Sequence, residues 1–197
     1  DEYYFHRFYP FQPDLNLANP DVREEIRKIM GFWLELGVSG FRIDAATLMI
    51  QQKQPGAPEL DDPHSILREL RAGAVRHKSD VVLLAEADDE PDELAQYFGD
   101  RDEMDLLLNF VLDAHLFGAL ASERAEPLAR CLDELPDISE SGQWANFLRN
   151  YDELNLGRLA PEYQDDVYER FAPDEDMRIY GRGIRRRLAP MLDGDQR

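Results

Sequence analysis

Residues 19–44, NPDVREEIRKIMGFWLELGVSGFRID, decide the fold, because they carry the chain from a capped helix into a buried strand and close it with an acid. Asn19 followed by Pro20 reads as a helix N-cap with proline at the first helical position. Val22, Ile26, Ile29, Met30, Trp33 and Leu34 then recur at helical spacing, with Arg23, Glu24, Arg27 and Lys28 between them and Gly37 as the stop. Val38 to Ile43 reads as a buried strand ending at Asp44. Residues 64–86 repeat the order: a helix from about His64 to Arg76, then the apolar run Val81-Val82-Leu83-Leu84-Ala85, unbroken as in a strand buried on both faces, and then Glu86.

Working outward, Met104 to Leu112 is a third strand, followed by helical segments to about Leu135, and Trp144 to Leu148 is a fourth. Strands alternating with helices indicate βαβ units and a parallel sheet with right-handed crossovers. Polar ends on consecutive strands favour a barrel over a doubly wound sheet, since a barrel gathers its strand ends around one cavity. No glycine-rich phosphate loop is present. After Tyr151 the sequence becomes acidic and proline-punctuated, and residues 153–197 read as an inserted loop with one or two helices. The run Arg182 to Arg187 reads as a solvated helix face.

A hydrophobic fraction of 43% supports a globular core, while 41 acidic against 22 basic residues give a net charge of −19 that repels nucleic acid phosphates and anionic membrane surfaces. A neutral substrate is the expectation, with no nucleic acid and no membrane partner. No stretch approaches the roughly 20 apolar residues of a membrane span, and DEYYFHRFYP has no leader pattern, so a cytoplasmic location is expected. Cys131 has no cysteine to pair with and sits in an apolar helical pattern, as a core or boundary residue does. No Cys/His cluster has zinc-ligand spacing, so no metal residue is assigned and no cofactor is evident.

Three strands are each followed by a carboxylate: Asp44, Glu86, and Asp152 after Phe-Leu-Arg-Asn-Tyr. A lone acid there most often caps a helix or faces solvent, but three in successive units would face one cavity if the strands form a barrel. Retaining glycoside hydrolysis needs a carboxylate nucleophile and a second carboxyl as acid then base, about 5–5.5 Å apart, and neighbouring strands lie about 4.8 Å apart. Arg42 falls on the same side of its strand as Asp44 and favours its ionised form, as a nucleophile requires. Glu86 has apolar sequence neighbours and no adjacent cation, an environment suited to a proton donor. A magnesium barrel of the enolase type is the rival, but Lys28, Lys53 and Lys78 all lie in helical or loop sequence where no base is expected. The aromatics from Tyr3 to Tyr9 offer faces for sugar rings, although such clusters more often pack loops, and His6 and His64 read as structural.

Gly40-Phe41-Arg42-Ile43-Asp44-Ala45-Ala46, Leu84-Ala85-Glu86-Ala87 and Phe147-Leu148-Arg149-Asn150-Tyr151-Asp152 resemble three ordered signature segments of the α-amylase superfamily. The segments Tyr4 to Phe8, Gln12-Pro13-Asp14-Leu15-Asn16 and Gly183 to Pro190 are similar to its trehalose synthase (maltose α-D-glucosyltransferase) branch. The resemblance implies a partial (β/α)8 barrel covering about strands four to seven, with residues 1–197 a fragment of the catalytic domain that needs the rest of the barrel and is inactive alone. It implies Asp44 as nucleophile, Glu86 as acid/base and Asp152 as transition-state stabiliser, with Arg42, Asn150 and Tyr151 binding substrate. Tyr151 departs from the histidine usual there. The implied activity is maltose and trehalose interconversion by intramolecular glucosyl transfer, with α-glucosidase or α-amylase hydrolysis, or a non-catalytic sugar-binding or scaffold role, as alternatives. The substrate would be a small saccharide such as maltose, trehalose or another α-glucoside, and any calcium site would draw on segments absent from this chain.

Overall fold

The structure, a computed structural model, describes residues 3–148 and 153–194. The chain divides into two compact units, residues 1–107 with 137–143 and residues 108–136 with 144–197.

The first unit opens with helix α1 (Pro20–Glu35), whose start is fixed by the Asn19 side chain accepting the Asp21 N–H at 2.9 Å. Its buried residues are Met30, Gly31 and Leu34; of the apolar stripe expected from the sequence Met30 and Leu34 are buried while Ile29 and Trp33 are exposed, and Gly37 leaves the helix at φ +106°. Strand β1 (Gly40–Ile43), the single turn α2 (Ala46–Met49), helix α3 (Ser65–His77) and strand β2 (Val82–Ala85) follow. Glu69 of α3 accepts from Arg23 at 2.6 Å and Arg27 at 2.7 Å, which ties α3 to α1. Helix α4 (Pro91–Leu94) runs into a 3-10 turn (Ala95–Phe98), and strand β3 (Leu106–Leu108) comes next.

Strands β1 and β2 pair in parallel from Gly40↔Val82 to Ile43↔Ala85, and β2 pairs in parallel with β3 through Leu84↔Leu106. With β4 (Gln143–Ala145) they form a four-stranded parallel sheet in the order β1-β2-β3-β4. Leu83, Ala85 and Leu107 are buried in it together with Leu67 and Leu70 of α3. Gly40 is required at the start of β1, because a Cβ there would lie 2.2 Å from the Val82 carbonyl oxygen.

The second unit contains helices α5 (Phe110–Ser122) and α6 (Glu126–Glu134), strand β5 (Leu154–Asn155), helix α7 (Pro161–Phe171), strands β6 (Arg178–Ile179) and β7 (Gly183–Ile184), and the turn α8 (Leu188–Met191). The three short strands form an antiparallel sheet ordered β5-β7-β6. Phe117, Leu154, Leu156, Val167, Phe171 and Ile184 make its core, with Phe117 edge-on to Phe171 at 5.5 Å. Cys131 is fully buried in α6, and burial pushes its thiol up to about 11.

Several expectations need correction. The third strand is shorter than Met104 to Leu112: Asn109 accepts the Leu112 N–H at 3.0 Å and starts α5 at Phe110, so a helix cap divides a run whose apolar residues show no period. The fourth spans Gln143–Ala145 rather than Trp144 to Leu148. The run Arg182 to Arg187 is no helix face: it contains β7, and Arg186 donates to the carbonyls of Phe171 and Pro190, both at 2.6 Å. The closing segment holds helical elements as expected, and the β5-β7-β6 sheet besides.

Candidate active site

The acids that end β1 and β2 meet because the two strands are in register. Ile43 pairs with Ala85, the Glu86 N–H donates to the Ile43 carbonyl at 2.9 Å, and the Ala46 N–H donates to the Glu86 carbonyl at 2.8 Å. The residues after the two strands are thus laced together by backbone bonds before any side chain is considered.

Arg42 joins the two carboxylates. One guanidinium nitrogen donates to Asp44 Oδ1 and the other to Glu86 Oε2, each at 2.5 Å. The expected pairing with Asp44 is present, but Glu86 also has a cation beside it, which corrects the reading from its sequence neighbours: Arg42 lies 44 residues away and reaches it only across the strand pair. The two acids differ in solvation, the Asp44 side chain being 68% exposed and that of Glu86 14%. Burial raises the Glu86 carboxyl above its ordinary value, and the hydrogen bond that its protonated form donates to the neighbouring Asp44 carboxylate adds to this, against the opposing pull of the Ala45 N–H and Arg42. A carboxyl raised by burial beside one that is solvated and paired with a guanidinium is the division of labour expected of acid and nucleophile.

The Ala45 backbone is the part of the site that sequence reasoning missed. Its N–H donates to Glu86 Oε2 at 3.2 Å, from a left-handed conformation with φ 44° and ψ 50°. Alanine rarely adopts that region, and such backbone outliers gather at functional sites. No residue type marks the position, so no sequence signal could have found it.

Asn150, Tyr151 and Asp152 lie outside the described residues. The aromatics from Tyr3 to Tyr9 are exposed, with Tyr9 stacked on Phe11 at 5.2 Å. Their loop is held by Arg7 donating to Gln51 at 2.7 Å and by Lys53, whose ammonium lies 3.5 Å from Asp14 and donates to the Leu15 carbonyl at 3.0 Å. His64 pairs with Glu103 at 2.7 Å, in keeping with a structural role. Among the described residues no group of His, Cys, Asp and Glu could hold a metal ion, and no helix is long and apolar enough to cross a membrane.

Residues 1–172 match the family model for the alpha-amylase catalytic domain. The chain is 42% identical over 196 residues to a trehalose synthase of Thermus thermophilus, covering 99% of this chain and 20% of that protein. It is 38% identical over 199 residues to the trehalose synthase/amylase TreS of Mycolicibacterium smegmatis, covering 99% of this chain and 33% of the relative. The fold is similar to Eubacterium rectale Amy13B, with a TM-score of 0.57 and 25% identity, over 74% of this chain and 29% of that one. The chain therefore spans a fifth to a third of the length of these two curated relatives.

Proposed function

Because this chain belongs to the alpha-amylase family of catalytic domains, we propose that the full-length protein interconverts maltose and trehalose by a retaining, double-displacement transfer of glucose. The observation that carries the reading is the Arg42 bridge between Asp44 and Glu86, on a chain whose relatives are named trehalose synthases. The parallel sheet supplies about strands four to seven of a (β/α)8 barrel in this reading, and its two edge strands, β1 and β4, pair with the remainder.

In the first step a carboxylate oxygen of Asp44 attacks the anomeric carbon of maltose. The bond to the bridging oxygen breaks as Glu86 gives that oxygen its proton, which leaves free glucose and a glucosyl ester on Asp44. A glucoside between the acids takes the place of their shared hydrogen bond and opens them toward the about 5–5.5 Å of retaining pairs. In the second step Glu86, now ionised, takes the proton of the anomeric hydroxyl of the retained glucose. That oxygen displaces Asp44, so both the stereochemistry and the number of glycosidic bonds are conserved. Arg42 holds the Asp44 carboxylate in place for its attack, and Asp152 together with Asn150 and Tyr151 holds the sugar hydroxyls.

Hydrolysis is the second reading, favoured by the word amylase in the name of the mycolicibacterial relative. The two part at one point, whether glucose or water attacks the ester. Incubating the full-length protein with maltose and resolving the sugars by chromatography tests this: trehalose is the expected product, glucose alone demotes the protein to a hydrolase, and no turnover of any α-glucoside overturns the enzyme.

A further inference from the structure

We propose that the recess between α5, α6 and α7 is a binding site for a single sugar ring, formed wholly within the second unit from residues the transfer chemistry does not use. Its volume is about 240 Å³, space for about eight water molecules at about 30 Å³ each and hence for a small ligand. Its floor is His115, only 2% exposed. The His115 Nδ1 meets the Val111 carbonyl at 2.6 Å, which accepts and cannot donate, so the proton sits on Nδ1 and Nε2 is a bare acceptor. Among the described residues no donor meets Nε2.

Two further polar groups around the recess, Tyr163 and Glu162, are likewise uncommitted. Among the described residues the Tyr163 hydroxyl has no hydrogen-bond partner, although its residue is buried and its ring carries the Arg124 guanidinium at 5.4 Å. Among the described residues Glu162 has none either, while Arg130 meets Glu134 at 3.9 Å and Glu126 is joined to Arg124. Leu159 supplies an apolar wall.

The chemistry of this lining selects the ligand. The carboxylates of Glu126 and Glu162 repel an anion, and the Arg130 guanidinium beside them disfavours a cation. An apolar ligand would bury Nε2 and the phenol without partners, at the cost of their desolvation. An uncharged ring bearing several hydroxyls donates to His115 and the glutamates, accepts from Arg130 and does both with Tyr163. A sugar ring meets every one of these requirements at once.

The test is hydrogen exchange by mass spectrometry on full-length protein carrying Asp44→Asn, titrated with methyl α-D-glucoside. Slower exchange is expected in residues 110–122 and 161–171, and Tyr163→Phe, which removes only the hydroxyl, should raise the half-protecting concentration about five- to tenfold. Adding Glu86→Gln should leave it unchanged. Equal potency of maltose identifies a free monosaccharide site, and greater potency identifies the end of a longer chain. Protection absent from these helices, indifferent to Tyr163→Phe, or reproduced by sulfate overturns the proposal. Since no turnover is involved, this result and the fate of the proposed activity are read separately.

Discussion

At the scale of single residues, Arg42 pulls in two directions. It pairs with Asp44, yet it also lowers the Glu86 carboxyl that burial and Asp44 raise. The sign follows directly: a raised Glu86 keeps its proton to higher pH than an ordinary glutamic acid, so the acid-dependent step is lost only as pH climbs through that raised value. Removing Arg42 takes away one of the lowering influences. Arg42→Met in the full-length protein should move the alkaline limb of kcat/KM further up in pH while cutting kcat/KM by about 10–100-fold. An alkaline limb that stays put or moves down would separate Glu86 from that limb. Of this site the sequence makes the Arg42–Asp44 pair legible, because two residues apart on a strand share a face. The Arg42–Glu86 contact and the Ala45 N–H are not, since one depends on which strands become neighbours and the other on a backbone conformation that alanine does not advertise.

At the scale of elements, β1 depends on a close approach that only glycine allows. Gly40→Ala would drive a Cβ into the Val82 backbone, and it should cost about 1–3 kcal/mol of stability by overpacking, visible as a lower thermal midpoint. A second device secures the start of α3. Buried Glu103, in the turn before β3, accepts from His64 at 2.7 Å and Arg68 at 2.8 Å, while Tyr97 lies edge-on to the imidazole at 4.8 Å and Asp62 pairs with Arg68. The Glu103 hydrogen bond raises His64 above its ordinary value and outweighs the opposing effect of burial. A raised histidine adds stability that is fully present below its unfolded pKa of about 6.5. That stability is lost as pH rises through the higher folded value. Thermal melts should therefore fall with pH across that window, and Glu103→Gln should flatten the fall. Helix α1 is legible in the sequence because a cap and a 3.6-residue period mark it, and α3 because it repeats the helix-then-strand order. The break at Asn109 lies between two short apolar runs, Leu106 to Leu108 and Phe110 to Leu112, neither long enough to set a period, and two-residue strands such as β5, β6 and β7 are too short to show any period.

At the scale of the whole molecule, the net charge of −19 suits an uncharged substrate, and the family assignment rests on residues 1–172 taken together. The central claim is that Asp44 is the group that holds the sugar between the two steps. The most direct measurement is mass spectrometry of full-length Glu86→Gln protein after reaction with an activated aryl α-glucoside, whose leaving group needs no proton. The glucosyl label should be found on Asp44, azide should release it as the α-glucosyl azide, and Asp44→Asn should give no label with the same reagent. A label on Asp152, or turnover that survives Asp44→Asn, would contradict the account.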